Sequence, residues 1–453
     1  MNEPSTAESV SEAPESVGND LSVADVFAEG LHFHRHGCLG EAERAYRWVL
    51  AAAPEHVDAL HFLGVLLHQA GFEKEGIASI ERALALCPGY VDAHSNLGNV
   101  LRGAGRLSDA ARAYRRAIEL KPDFVEALNN LGVVLKDLRR FDEAIEVLRR
   151  AMVIAPQRGD IHLNLGNVFA GMDRAVEASA EYHRAIELDP SLLHAYDALN
   201  RALRRMGREA EALEVLQLLA RQLPESPVAR HLLAAATGRD VPPQASETYV
   251  RHVFDTFAES FDTTLATLEY RAPALTAALV ARRWPVPKAD LEVLDAGCGT
   301  GWCGPLLRPF ARSLTGVDLS PGMLSKARGR GVYDAFFQAE LTEFMRERPA
   351  AFDLVVSADT LVYFGDLAPV ISAAALTLRP GGGLVFSVED AGPNRPPEGF
   401  QIHPHGRYSH TEEYLRTVLD AAGFEVRELG KEVLRKELGQ PVAGLVASAA
   451  KKT

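Results

Sequence analysis

The residues best suited to chemistry lie between Leu291 and Gly301. The apolar run Leu291-Glu292-Val293-Leu294 leads to Asp295, and the chain continues Ala296-Gly297-Cys298-Gly299-Thr300-Gly301, with glycine at every second position. Glycine has no Cβ to hold a ligand off the backbone, and it adopts positive φ without strain. The run before the glycines suits a strand covered on both faces, as in a parallel sheet. Ligands bind such sheets at the carboxyl ends of their strands. A second carboxylate, Asp318, closes the strand expected over Ser313 to Val317.

Two layouts share this arrangement. Gly299-Thr300-Gly301-Trp302-Cys303-Gly304 satisfies the spacing of the dinucleotide fingerprint, with Asp318 near the place of its ribose-binding acid. Asp295 speaks against it, because a carboxylate ahead of the glycines repels a pyrophosphate. Val293 to Gly301 (VLDAGCGTG), with Gly316 to Leu324 (GVDLSPGML), resembles class I S-adenosylmethionine-dependent methyltransferases, and Leu378 to Gly382 adds their turn before strand five. The resemblance implies a seven-stranded Rossmann-like α/β domain with S-adenosylmethionine as cofactor. It assigns Asp295, Gly297, Cys298, Gly299 and Gly301 to the cofactor loop and Asp318 to the ribose hydroxyls. Leu319 and Met323 fall on the adenine face. Glu340, beside Leu341, falls near the adenine amino group, and Asp359 beside the methionine part and the methyl group.

A sulfonium already carries a good leaving group, so alignment of the acceptor carries much of the rate and no metal is needed. A base is required only for an acceptor that arrives protonated. Asp390 to His410 reads as a loop of about twenty residues rich in Pro and Gly, a length that is usually functional or disordered. In the resembling family this segment shapes the substrate pocket. It carries His403, His405, Arg407, Tyr408 and His410. His410 and Tyr408, with His405, are candidate bases, and Asp359 is the third catalytic candidate.

The N-terminal half repeats itself. Pro54, Pro88, Pro122, Pro156, Pro190 and Pro224 are each 34 residues apart, and Gly30, Gly64, Gly98, Gly132 and Gly166 keep the same period. This is the tetratricopeptide pattern, and it predicts an all-α solenoid. Six repeats cover 23–226 and a capping helix extends the solenoid to 238. Asn96, Asn130 and Asn164 share one repeat position on the expected concave face, and Asn99 and Asn167 another. Stacked amides can bind an extended peptide, as in the similar asparagine ladder of O-GlcNAc transferases; packing or solubility is the other reading. His32, His34 and His36 place only two rings on one helical face, without a carboxylate, so no metal site is expected.

The whole chain, over roughly 23–451, resembles the bacterial-type group of tetratricopeptide proteins fused to a class I methyltransferase. The expected organisation is a disordered acidic tail (1–22), a solenoid (23–238), a linker (239–246) and a methyltransferase domain (247–453). Phe254, Phe257 and Phe261 share a helical face ahead of the sheet, suited to cover the cofactor or to dock on the core. The formal net charge of -13 argues against a nucleic-acid partner. No membrane span, secretory signal or paired-cysteine motif is visible, so a reducing cytoplasm is the expected setting. The expected function is methyl transfer to a protein or peptide recruited by the repeat groove. A silent cofactor-binding scaffold, a small-molecule methyltransferase and an NAD-dependent enzyme are the alternatives.

Overall fold

The computed structural model describes residues 22–257, 261–393, 396–437 and 439–453, without the side chains at 256, 257, 263, 264 and 266. The acidic stretch 1–21 and the Phe257 side chain therefore lie outside the described residues, as do Asn394 and Arg395 of the segment after strand five. The chain divides into two compact units, 1–208 and 209–453. The division falls between the two helices of the sixth repeat.

In the first unit helices of 13 and 14 residues alternate, from Val23–Arg35 and Leu39–Ala52 to Leu193–Arg205. Prolines 54, 88, 122, 156 and 190 each sit two residues past the end of a second helix, because proline has no N–H to continue one. The repeat glycines have a measurable reason. A Cβ at Gly98 would lie 2.6 Å from the Tyr114 ring, at Gly132 2.5 Å from Leu148, and at Gly166 2.5 Å from Tyr182. Those partners are buried, so the glycines set how closely paired helices approach. A further periodic feature sits at the turn inside each repeat, where Gly37, Gly71, Gly105, Arg139, Asp173 and Gly207 all have positive φ.

The repeat asparagines bond to one another. Asn99 Nδ2 donates to Asn96 Oδ1 (3.2 Å), and Asn130 Nδ2 to Asn99 Oδ1 (3.1 Å). Asn164 Nδ2 donates to Asn129 Oδ1 (2.9 Å). Asn96, Asn99 and Asn130, with His61, Phe62 and Tyr90, line a recess of about 370 Å³.

The second unit is built on one sheet. Its strands are β1 (Leu291–Ala296), β2 (Ala311–Asp318), β3 (Ala335–Gln338), β4 (Phe352–Ser357), β5 (Leu378–Asp390), β6 (Phe400–Ile402), β7 (Tyr408–His410), β8 (Phe424–Glu437) and β9 (Gln440–Lys451). β3, β2, β1, β4 and β5 run parallel in that order; β9 lies antiparallel on β5, and β8 antiparallel on β9. These seven strands are the α/β sheet expected from the sequence. The segment 390–410 is not the loop it resembles: β6 and β7 form a hairpin, and β7 pairs in parallel with the end of β5 through Glu389↔Ser409 and Asp390↔His410. Three-residue strands are too short to show an alternation. β1 lies between β2 and β4, pairing Asp295 with Gly316 and Val356. The order in which strands are added reverses there, and a crevice opens at the carboxyl ends.

Gly98→Ala is expected to destabilise the full chain by about 1–3 kcal/mol, as overpacking does. Gly40→Ala, whose added methyl meets nothing within 4 Å, is expected to be neutral or stabilising. Urea denaturation of the two variants checks this; equal effects would contradict it.

Candidate active site

A cavity of about 290 Å³ opens at the carboxyl ends of β1, β2 and β4. Its floor is the glycine loop. Gly297, Gly299 and Gly301 have φ of 78°, 53° and 83°, which L side chains rarely adopt. The glycines differ in role. A Cβ at Gly297 would lie 2.2 Å from Thr360, whereas one at Gly299 would meet nothing within 4 Å. Gly297 thus packs under the β4 loop, and Gly299 presents bare backbone to open space. The loop is tied to β2 by Gly299 N–H, which donates to Asp318 Oδ2 (2.9 Å), while Ser320 N–H donates to Asp318 Oδ1 (2.9 Å). Burial pushes the Asp318 carboxyl up and these N–H groups oppose the shift.

The expected cofactor residues divide by placement. Gly297, Cys298, Gly299, Asp318, Leu319, Glu340, Leu341 and Asp359 line the cavity. Asp295, Gly301 and Met323 are not among the lining residues. Asp295 is 1% exposed and accepts a hydrogen bond from the Tyr333 hydroxyl (2.6 Å). Met323 is fully buried in the core. Glu340 caps the helix Leu341–Arg346, accepting from Glu343 N–H and the Thr342 hydroxyl. Asp359 sits at φ 58°, a strained conformation for a residue with a side chain, and Arg435 Nη1 donates to both its oxygens (2.8 and 2.6 Å).

Tyr408 and His410 do not reach the cavity. The Tyr408 hydroxyl donates to Pro242 O (2.7 Å), and His410 Nε2 donates to Gly365 O (3.0 Å). Both side chains are fully buried, and burial lowers the His410 pKa to about 4. They hold the β6–β7 hairpin to its neighbours, an arrangement that gives no support to their expected role as bases. His403 and His405 are not among the lining residues either; His403 Nε2 bonds the Ser409 hydroxyl (2.7 Å).

Other residues build the site. Arg435 of β8 is 3% exposed. Besides Asp359 it donates to Glu389 of β5 and, through Nε, to Glu437 (2.7 Å). Arg407 donates to Glu389 (2.8 Å) and to Glu437 (2.5 Å). Arg407, Arg435 and Glu437 line the cavity, with Tyr270 and Tyr363. Sequence pattern gave no signal for Glu389, Arg435 or Glu437, because residues on separate strands meet only through the topology.

The opposite wall comes from the leading helices Glu247–Phe257 and Phe261–Thr267, through Val250, Val253, Phe254, Phe261 and Leu265. Asp262 fastens this wall to the glycine loop: Thr300 Oγ1 (2.5 Å), Trp302 Nε1 (2.8 Å) and Arg330 Nη2 (2.8 Å) all donate to it. Asp255 accepts from the Ser320 hydroxyl (2.6 Å). The stretch expected as a linker is also fixed. Pro243 O accepts from Gly365 N–H (2.9 Å) and Asp366 N–H (2.7 Å), Ala245 N–H donates to Tyr363 O (2.8 Å), and Gln244 and Ala245 line the cavity. Ahead of it, His231 of the capping helix Pro227–Thr237 donates from Nε2 to Gly406 O (2.8 Å).

Asp295 carries a testable electrostatic consequence. Burial raises its carboxyl to about 7, against the Tyr333 hydrogen bond and with a smaller push from Asp318. The folded state therefore holds this proton more tightly than the unfolded chain. The stabilisation is full below the unfolded value near 4 and is lost as pH rises through 7. Asp295→Asn is expected to gain stability over the native chain across that window, by up to about 4 kcal/mol above pH 7. Urea midpoints of both proteins from pH 4.5 to 8.5 check it; a difference independent of pH would contradict it.

Residues 268–429 match the family described as a methyltransferase domain, and residues 27–91 and 95–159 match the tetratricopeptide repeat family. The chain is 42% identical over 83 residues to methyltransferase-like protein 27 of Homo sapiens, covering 18% of this chain and 34% of that protein. It is 34% identical over 107 residues to the ubiquinone biosynthesis O-methyltransferase of Xylella fastidiosa, covering 22% and 43%. It is 30% identical over 141 residues to a probable S-adenosylmethionine-dependent methyltransferase of Mycolicibacterium smegmatis, covering 31% and 54%. The chain thus spans about a third to a half of these relatives. Among solved structures, MamA aligns with TM-score 0.34 and 27% identity, over 36% of this chain and 94% of that one. The chain joins an N-terminal array of tetratricopeptide repeats to a C-terminal methyltransferase domain.

Proposed function

We propose that the C-terminal unit binds S-adenosylmethionine in the cavity and that its methyl group passes to an acceptor lodged against the leading helices. The observation that carries this reading is the glycine loop bonded to Asp318. Gly299 leaves open space where a side chain would stand, next to a carboxylate at the end of β2. Such a cradle fits a nucleoside: Asp318 would accept from the ribose hydroxyls, and Leu319 and Leu341 would flank the adenine, with Glu340 near its amino group. The bound group supplies a methyl on a sulfonium; the protein supplies position and a site closed by the Asp262 clamp. Asp295 acts from beneath the loop rather than by contact.

The repeats would bring a protein or peptide that is, or carries, the acceptor, with Asn96, Asn130 and Asn164 reading its backbone. Repeats of this family commonly present such a surface. In the full chain, Asn96→Ala/Asn130→Ala/Asn164→Ala is expected to lower tritium transfer from labelled S-adenosylmethionine into lysate proteins and to leave cofactor affinity unchanged. Unchanged transfer would sink the recruitment idea. A small-molecule acceptor is the second reading, favoured by the apolar wall.

Cofactor choice is tested by isothermal titration of the full chain with S-adenosylmethionine and NAD in parallel. Binding of S-adenosylmethionine and none of NAD is expected. Asp318→Ala is expected to weaken the former at least about tenfold, the loss of charge-assisted hydrogen bonds. Tight NAD binding without S-adenosylmethionine binding would reverse the assignment.

A further inference from the structure

The recess on the repeats is built by the first helices of three consecutive repeats, Val57–Gln69, Val91–Gly103 and Val125–Asp137, and by the residues that lead into them. Phe62, Tyr90 and Phe124 supply rings to its lining, and Asp92 and Glu126 supply carboxylates; no Lys or Arg is among the lining residues. His61 adds no charge. It is 1% exposed, and burial lowers its pKa against a smaller pull from Asp92 and Asp58. One neutral tautomer satisfies the ring: Nε2 accepts from Asn96 Nδ2 (2.8 Å), Nδ1 donates to the Tyr90 hydroxyl (3.2 Å), and that hydroxyl donates to Asp58 (2.7 Å).

The repeat itself shows what belongs between such acids. Asp58, Asp92, Glu126 and Asp160 are each 34 residues apart, and each lies in the first turn of a helix. A carboxylate there offsets the helix dipole, which accounts for the acid but not for its surroundings. Tyr90, Phe124 and Arg158 share another repeat position, two residues before the acid. Arg158 bridges the acids on either side of it: Nη1 donates to Glu126 (2.8 Å), and Nη2 and Nε donate to Asp160 (2.7 and 3.0 Å). One repeat earlier the same place holds Phe124, between Asp92 and Glu126, and a phenyl ring can bond neither. Asp92 has no hydrogen-bond or ion-pair partner among the described residues, while Glu126 has Arg158.

Charge and shape select the occupant together. An anion would meet two carboxylates, and an apolar group would strip water from them without replacing its hydrogen bonds. A guanidinium answers both demands, because its planar fork donates to carboxylates while its face rests on an aromatic ring. The Phe124 ring already accepts a cation from outside the recess, with Lys121 Nζ 5.1 Å from its centre. The stretch 1–21 ahead of the repeats contains neither Lys nor Arg, so it offers the recess no cation.

Resting on the reading that the repeat groove receives a partner's chain, we propose that the recess binds an arginine side chain of that partner, with its guanidinium on Asp92 and Glu126 and against the ring of Phe124. The guanidinium takes the place that Arg158 fills one repeat later. Asn96 and Asn130, beside it, hold the backbone of the same segment. The groove therefore selects its partner by an arginine in an extended stretch, in addition to reading main chain.

The test uses the full chain and four fluorescein-labelled dodecapeptides of glycine and serine that differ only at a central residue: arginine, lysine, citrulline or glutamate. Fluorescence anisotropy is expected to place arginine first, at least about tenfold tighter than citrulline, which keeps the shape without the charge. Lysine, a point charge without the fork, is expected between them, and glutamate last. The preference for arginine over citrulline should shrink as salt is raised. Asp92→Asn is expected to bring the arginine peptide to the affinity of its citrulline counterpart, with the helical signal of the native chain retained because Asp92 is exposed. Asn96→Ala/Asn130→Ala/Asn164→Ala is expected instead to weaken all four peptides alike. Equal binding of the arginine and citrulline peptides to the native chain, or tighter binding of the glutamate peptide, would overturn the proposal and leave the groove reading standing; this comparison needs no variant. Binding of none of the four would overturn the groove reading, and the proposal with it.

Discussion

A guanidinium shut in among three carboxylates governs the shape of this site. Arg435 reaches from β8 to Asp359 after β4, to Glu389 on β5 and to Glu437 at the end of its own strand. Arg407 brings the β6–β7 hairpin into the same cluster. Isolated charges would not survive such burial, and removal of one partner from a buried pair typically costs about 3–5 kcal/mol. The cluster therefore fixes four elements at once at the carboxyl edge of the sheet. Asp359 is held in a backbone conformation that it would not take freely.

Against this fixed side stands a fastened wall. The leading helices contribute apolar side chains to the cavity and are attached to the glycine loop at Asp262 and to β2's following turn at Asp255. Asp262 is held by one ion pair with Arg330 and two neutral donors, and Asp255 by a single hydroxyl, fewer charged contacts than in the network opposite. If one side of the cavity opens to admit ligands, the energetics favour this one. The stretch between the repeats and the sheet is part of the chamber as well, since Pro243 and Ala245 bond the β4 loop and Gln244 lines the cavity.

The legible part of the molecule was the part coded locally. Glycine, proline and small residues at a period of 34 announced paired helices, and the contacts of Gly98, Gly132 and Gly166 show why the period is kept. The glycine loop was legible because its requirement, backbone without Cβ at positive φ, can be met only by glycine. The Arg435 end of the cavity was not. Tyr408 and His410 looked reactive in a sequence rich in histidine, yet both are buried on backbone carbonyls. The cluster around Arg435 draws on Asp359, Glu389, Arg407 and Glu437, which are far apart along the chain and have no spacing to betray them. The short strands β6 and β7 were hidden for a related reason: their pairing is specified by β5 rather than by their own pattern.

The central claim is that one cavity, floored by the glycine loop and ended by the Arg435 cluster, is where the cofactor sits. Hydrogen–deuterium exchange of the full chain with and without S-adenosylhomocysteine tests it most directly. The account predicts slowed exchange confined to 297–302, 318–320, 339–341 and 358–360, with the repeats unaffected. Unchanged exchange at the glycine loop, or protection only in the repeats, would contradict it.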